Sequence, residues 1–137
     1  MRFFFDNCVS PKLASAIGEL SEYEVDYLRK KFPSNTPDTE WIRQLAAEGG
    51  WIVISADNRI YKAPQELEAW RQAKLTGFFC APAWSKNGLW DQAWRLARWW
   101  PKIEAQAELA AVGSIFELPL KHTSKFRQIT IRPIKQK

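Results

Sequence analysis

Three aspartates stand at the ends of predicted secondary-structure elements, and they are the side chains best placed to do chemistry. Asp6 follows the apolar residues 3–5, Asp57 follows the mainly apolar residues 51–56, and Asp38 lies in the first turn of a predicted helix. If the two apolar runs are neighbouring parallel strands, Asp6 and Asp57 emerge at the same carboxyl edge. Open α/β sheets bind their ligands at that edge, where the strand order reverses.

Carboxylates that converge on one point favour a bound cation. Two of them about 4 Å apart repel by roughly 1 kcal/mol in water and about 4 kcal/mol at the effective dielectric of a protein edge. A cation relieves this repulsion, and ligation by oxygen alone selects magnesium or manganese over zinc or copper. Such an ion activates water and stabilises charge on a phosphodiester. The pattern therefore predicts metal-assisted phosphodiester hydrolysis.

Each acid also has a structural explanation. Asp57 would suit the start of a turn, Asp38 would complement a helix dipole, and Asp6 would lead into a helix cap. Glu40 is the alternative to Asp38, because residues two apart on a helix point about 200° away from each other. One of these two acids is thus expected to face the site.

Several other kinds of site have no support in the sequence. The six glycines form neither a dinucleotide fingerprint nor a phosphate-binding loop, and no serine lies in a nucleophile elbow. One histidine, His122, expected to face solvent, and two separated cysteines, Cys8 and Cys80, do not suggest a zinc site. With no secretory signal and no apolar run of membrane-spanning length, we expect reduced cysteines, a cytoplasmic protein and no membrane partner.

Predicted strands and helices alternate along the 137 residues. This alternation predicts an α/β fold with right-handed crossovers and a mostly parallel sheet. The predicted strands are 3–5, 24–28, 51–56, 77–81 and 112–120. The predicted helices start at Ser10-Pro11, at Thr36-Pro37, at 63 and at 89. The second of them ends at Gly49-Gly50, and the last runs to 109 with a kink at Pro101.

Eight tryptophans indicate a core or an interface rich in aromatic side chains. In the last predicted helix the apolar spacing places Trp90, Trp94 and Trp100 toward the core, with Ala93 and Ala97. Trp84 and Trp99 are then expected to leave an aromatic ring exposed. Such a ring would suit a protein interface or the stacking of bases of single-stranded RNA.

The positive charge is concentrated at the C-terminal end. The chain carries +5, yet residues 118–137 contain six Lys or Arg and no acid, so residues 1–117 carry −1. A basic segment attracts phosphate-rich partners through counterion release, but a solvated tail has the same composition. We therefore divide the chain into a domain, 1–120, and a basic extension, 121–137.

Taken in order, three segments resemble the PIN-like domains, especially a small VapC-type toxin subfamily. They are residues 3–7 (FFFDN), 38–42 (DTEWI) and 51–60 (WIVISADNRI), and the resemblance extends over about 1–120. It implies a three-layer α/β/α sandwich with a mostly parallel central sheet and magnesium- or manganese-dependent ribonuclease activity. It also implies RNA as substrate, a cognate antitoxin as partner and often a homodimer.

The resemblance also assigns roles to individual residues. Asp6, Asp38 and Asp57 match the catalytic and metal-binding acids, with Glu40 as the alternative to Asp38. The resemblance further makes Asn7 and Arg59 candidate substrate-binding residues, although an arginine at position 59 would equally suit a surface ion pair. Many family members have a fourth acid after the fourth strand. Here that region, 81–90, reads APAWSKNGLW, and Asp91 is the nearest acid.

Three functions are compatible with these observations. The first is a metal-dependent PIN-type endoribonuclease that acts as the toxin of a toxin–antitoxin pair. The second is a PIN-like module that has lost catalysis and binds RNA or a protein, which the missing fourth acid favours. The third is a metal hydrolase acting on a nucleotide, which would use the same acids without the basic extension.

Overall fold

The computed structural model describes residues 1–6, 9–56 and 63–129, and a six-stranded sheet lies at its centre. The spatial order is β2-β1-β3-β4-β5-β6, in which the first five strands are parallel and β6 pairs antiparallel with β5. In chain order the strands are β1 (Arg2–Phe5), β2 (Glu24–Tyr27), β3 (Trp51–Ser55), β4 (Thr76–Cys80), β5 (Ile115–Leu118) and β6 (Arg127–Ile129).

Helices cover both faces of the sheet. The helices are α1 (Pro11–Leu20), α2 (Leu28–Lys31), α3 (Asp38–Glu48), α4 (Pro64–Ala73) and α5 (Leu89–Leu109), with a short 3₁₀ helix at Pro82–Lys86. The apolar sides of α1 and α5 pack in one core, and those of α2, α3 and α4 pack in the other. The predicted three-layer α/β/α sandwich with a mostly parallel sheet is thus confirmed.

Successive residues of β1 enter opposite cores, as the pleat of a strand requires. Phe3 and Phe5 pack against Trp100 of α5, with ring centroids 4.8 and 5.7 Å away. Phe4 points to the other face, where its ring lies 5.3 Å from Trp41 of α3. Burial on both faces explains why this strand is a continuous apolar run.

The ends of α1 and α3 follow from their sequences. Ser10 caps α1, accepting a hydrogen bond from the backbone N–H of Lys12 at 3.3 Å. α3 begins at Asp38, after Pro37, because the Thr36 hydroxyl donates to the carbonyl of Pro33 at 2.8 Å instead of capping the helix. α3 ends at Gly49, whose φ of +77° suits glycine.

The predicted inner face of α5 is wrong at its N-terminal end. Trp90 is 87% exposed and Trp94 is 48% exposed, and Ala97 is exposed as well. Trp100 is buried as predicted, but the other buried side chains lie on a neighbouring stripe, and they are Leu96, Trp99, Ile103 and Ala107. Because the helix has apolar residues on more than one stripe, spacing alone selected the wrong one.

The expectation of an exposed ring at Trp84 or Trp99 is also wrong. Trp84 is buried, and its indole N–H donates to the carbonyl of Leu118 at 3.0 Å. Trp99 is buried beside Phe126, with ring centroids 4.9 Å apart. The exposed tryptophans in the described part of the chain are Trp90 and Trp94 instead.

The segment beyond residue 120 contributes to the packing. Phe126 packs on Trp99 and Phe78, and β6 follows it at the edge of the sheet. His122 is half-buried, with its ring 5.4 Å from that of Trp99, and does not simply face solvent. The boundary after residue 120 stays a prediction. Among the described residues, no helix combines the length and apolarity that crossing a bilayer requires.

Glu48 ties the C-terminal end of α3 to its neighbours. Its carboxylate accepts from Lys31 at 2.9 Å, from Gln44 at 3.1 Å and from the indole N–H of Trp51 at 3.0 Å. The hydrogen bond from Lys31, followed by that from Gln44, lowers the pKa of Glu48 from 4.5 to about 2. The lowered pKa means that the ionised carboxylate stabilises the folded state above about pH 4.5, and that this stabilisation is lost as the pH falls toward 2.

We therefore expect Glu48→Gln to reduce the free energy of unfolding by about 1 kcal/mol at pH 7. The difference from the wild type should shrink below pH 4.5 and vanish near pH 2, which urea unfolding at several pH values would measure. Glu19→Gln, a change at an exposed residue of α1, should alter stability by less than about 0.5 kcal/mol. A Glu48→Gln effect that does not depend on pH would contradict the role given to this carboxylate.

Candidate functional site at the carboxyl edge of the sheet

Asp6 directly follows β1, Ser55 is the last residue of the neighbouring strand β3, and the two side chains contact each other. β1 and β3 are parallel neighbours, with Phe5 opposite Ile54, and the backbone N–H of Asp6 donates to the carbonyl of Ile54 at 3.3 Å. One residue further on, the Ser55 hydroxyl donates a hydrogen bond to the Asp6 carboxylate. The first and third strands are thus parallel neighbours, which is the condition for Asp6 and Asp57 to share one edge.

The carboxylate of Asp6 is buried. Its residue is 4% exposed and Ser55 is 0% exposed. Within residues 1–6, 9–56 and 63–129, three polar or charged residues are buried: Asp6, Ser55 and Thr76. Asp6 is the one carboxylate among these three. Burial of a carboxylate costs several kcal/mol before its partners offset it. Such costly groups concentrate at functional sites.

The position of Asp6 in the topology is that of a ligand site. The chain leaves β1 through α1 to reach β2 on one side, whereas β3 lies on the other side of β1. α1 and α3 lie on opposite faces of the sheet, so the connections diverge here. The strand order therefore reverses between β1 and β3, and open α/β sheets bind their ligands at the carboxyl ends of such a pair of strands.

Asp38 lies at the same edge. α3 joins β3 through Gly49-Gly50 at the amino edge, and its 11 residues span about 16 Å, so its N-terminus reaches the carboxyl edge. The half-buried Asp38 carboxylate accepts from the indole N–H of Trp41 at 2.9 Å, and Trp41 packs on Phe4 of β1. Asp38 thus belongs to the helix that packs against Phe4, and its hydrogen-bond donor, Trp41, lies in the same helix.

The other predicted site residues are separate from this group or lie outside the described residues. Glu40 is exposed on the first turn of α3. Asp57, Asn7 and Arg59 lie outside the described residues, so their predicted roles stay predictions. Where the chain is described, no three His, Cys, Asp or Glu side chains come close enough together to hold a metal ion. The predicted cluster of Asp6, Asp38 and Asp57 therefore depends on Asp57.

Asp91, the acid nearest to the end of β4, is engaged elsewhere. Its carboxylate accepts from Arg95 at 2.9 Å and from the indole N–H of Trp94 at 2.9 Å. The hydrogen bond from Arg95, followed by that from Trp94, lowers the pKa of Asp91. These bonds lie on the outer side of α5, so the structure does not assign Asp91 as a fourth ligand.

Ser55 is a site residue that the sequence analysis did not identify. The sequence does single out Ser55, because it is the polar residue at the end of the otherwise apolar strand Trp51–Ser55. All five residues of that strand are buried. A hydroxyl in such a strand needs a hydrogen-bond partner, and the neighbouring strand end supplies a carboxylate.

Comparison with known proteins agrees with this fold. A family model described as "PIN like domain" matches residues 1–82, which include β1 to β4 and both Asp6 and Ser55. No curated protein and no solved structure matches the chain. Since the matched segment is more than half of the 137 residues, the chain belongs to the PIN-like domain family.

Proposed function

We propose that this chain is a metal-dependent endoribonuclease of PIN type that hydrolyses RNA phosphodiesters. The observation that carries the proposal is the buried carboxylate of Asp6 at the point where the strand order reverses. A buried carboxylate that destabilises the fold can be retained where it binds a cation. Membership of the PIN-like family supports the same reading, since nuclease activity is general among PIN-like domains.

The donor atoms on this edge suit a hard cation. The Asp6 carboxylate and the Ser55 hydroxyl present oxygen, the element that magnesium and manganese prefer. In the proposal, Asp6, Asp38 and Asp57 hold the ion. When bound, the ion would supply an activated water and neutralise charge on the phosphodiester.

The protein side chains have distinct roles in this proposal. Ser55 donates to the Asp6 carboxylate and orients it. Asn7 and Arg59 contact the substrate, with the Arg59 guanidinium paired to the phosphate. We prefer Asp38 to Glu40 as the third acid, because Asp38 is half-buried over the core residue Trp41 whereas Glu40 is exposed.

The biological setting is part of the same proposal. We infer a VapC-type toxin that acts in the cytoplasm, is neutralised by a cognate antitoxin and forms a homodimer. The support is the resemblance of residues 3–7, 38–42 and 51–60 to that subfamily, together with the basic C-terminal segment that would favour RNA.

A cleavage assay tests the proposed activity. Wild-type protein and Asp57→Asn are incubated with a labelled RNA in Mn²⁺, in Mg²⁺ and in EDTA, and the products are separated on a gel. We expect products from the wild type with either metal, none in EDTA and none from Asp57→Asn. Cleavage that persists in EDTA, or equally in Asp57→Asn, would exclude the proposed mechanism.

The alternative function is an inactive PIN-like module that binds RNA or a protein partner. The engagement of Asp91 with Arg95 and Trp94 favours it, because the acid nearest to the end of β4 is already bonded to two side chains of its own helix. This alternative predicts metal-independent RNA binding and no cleavage product under any condition of the same assay.

A further inference from the structure

The outer side of α5 carries four side chains in a single row. Trp90, Trp94, Arg98 and Lys102 follow one another at intervals of four residues, which places them along one ridge about 18 Å long. Trp90 is 87% exposed, Trp94 is 48% exposed, and the two cations are exposed as well. We call these four residues the outer row.

The ring of Trp94 is fixed by its neighbours. Its indole N–H donates to the Asp91 carboxylate at 2.9 Å, and the Arg95 guanidinium lies 4.7 Å from the ring centroid. Arg95 is in turn bonded to the same carboxylate and to the carbonyl of Leu120. An exposed ring that is already oriented loses little conformational freedom when a ligand stacks on it.

The outer row begins at the edge of the sheet that carries Asp6. β4 ends at the carboxyl edge, and only the 3₁₀ helix Pro82–Lys86 and a short turn separate it from α5. Trp90 is therefore close to that edge, in the layer of α1 and α5. A chain bound along the row would reach the carboxyl edge of the sheet at Trp90.

The charge around the second half of the row is positive. Arg98 and Lys102 are joined by Lys121 and Lys125 from the segment after β5, and Lys102 donates to the carbonyl of His122 at 3.1 Å. This charge attracts a polyanion. Two copies of the chain that met along this face would instead bring like charges together.

We propose that the outer row binds single-stranded RNA, with bases stacked on Trp90 and Trp94 and phosphates paired with Arg98 and Lys102. Exposed aromatic rings beside a basic track are the usual means of holding single strands without reading their sequence. The inference rests on the proposed ribonuclease function and adds to it a binding surface on α5, outside the carboxyl edge of the sheet.

The test measures binding separately from cleavage. Fluorescence anisotropy of a labelled 12-nucleotide RNA, alone and annealed to its complement, is recorded in EDTA for the wild type, Trp90→Ala, Trp94→Ala and Arg98→Gln. Leu109→Ala serves as the control, because Leu109 is an 84% exposed apolar residue at the other end of the same helix.

Each tryptophan variant should weaken single-strand binding by about 5-fold to 100-fold, with the duplex affinity almost unchanged. Arg98→Gln should weaken binding of both forms and reduce the salt dependence, and Leu109→Ala should change neither. Single-strand affinities equal to that of the wild type in both tryptophan variants would overturn the proposal. A wild-type dimer that becomes a monomer in sedimentation when Trp90 or Trp94 is replaced would also overturn the proposal. The outer row would then be a contact between two copies of the chain.

These outcomes are independent of the proposed cleavage. RNA cleavage by both tryptophan variants with the KM of the wild type would contradict the outer-row proposal and leave the ribonuclease proposal intact. A protein that binds single strands through the row but yields no product with Mn²⁺ or Mg²⁺ would contradict the ribonuclease proposal alone.

Discussion

Replacing Asp6 by asparagine should reduce Mn²⁺-dependent RNA cleavage by at least about 100-fold, because a metal ligand contributes more than the groups that support it. The variant keeps the size of the side chain and an oxygen that can accept from Ser55. Without added metal it should unfold at the same temperature as the wild type or a higher one, since a buried charge has been removed. Gel assays and thermal unfolding measure the two effects.

Glu117→Gln is the matched control for this change. Glu117 is a carboxylate on β5, two strands from β3, and is paired with Arg127 at 2.9 Å. Its replacement should leave cleavage within about 2-fold of the wild type. If Asp6→Asn retained full activity, or lost it together with the fold, Asp6 would not have the role assigned to it.

Replacing Ser55 by alanine should lower cleavage by about 10-fold to 100-fold, the usual cost of losing a group that orients a metal ligand. The Ser55 hydroxyl is buried and donates to the Asp6 carboxylate, so its removal leaves that carboxylate less well oriented. Because Ser55 acts through Asp6, the Mn²⁺ concentration that gives half-maximal activity should rise.

The conservative variant Ser55→Thr separates positioning from packing. It retains the hydroxyl and should recover most of the metal affinity, even if its extra methyl group lowers stability. Loss of activity in Ser55→Ala with no change in the metal requirement would contradict a positioning role for Ser55.

The central strands of the sheet could be predicted from the sequence because they are buried on both faces. A parallel strand with helices above and below becomes a continuous apolar run, as in residues 3–5 and 51–54, and such runs are visible without a structure. The Ser10 cap and the Gly49-Gly50 end were equally local signals. Local chemistry therefore determined most of the element boundaries.

The face of α5 was not predictable in the same way. This helix has aromatic residues on two sides, and the choice between them depends on how it packs on the sheet. Trp99 and Trp100 contact Phe126 and Phe3, which are distant in sequence. The energy of those contacts, and not the periodicity of α5, leaves Trp90 and Trp94 outside.

The candidate site was predictable only in part. Parallel strands share a carboxyl edge, so acids that follow them could be expected there, and Asp6 is at that edge. The hydrogen bond from Ser55 to Asp6 joins residues 49 positions apart, so the identity of the partner of Ser55 cannot be predicted from the local sequence. The bond between Asp38 and Trp41 is local, because the indole N–H that donates to the carboxylate lies three residues further along the same helix.

The most direct test of the account is thermal unfolding with and without Mn²⁺, in wild type and in Asp6→Asn. A ligand present at about 100 times its Kd stabilises the folded state by roughly 2.7 kcal/mol, which corresponds to a Tm increase of about 5–10 °C for a chain of this size. The account predicts that increase in the wild type and none in Asp6→Asn. An unchanged Tm in the wild type, or the same increase in both proteins, would contradict a divalent ion bound at the carboxyl edge of β1 and β3.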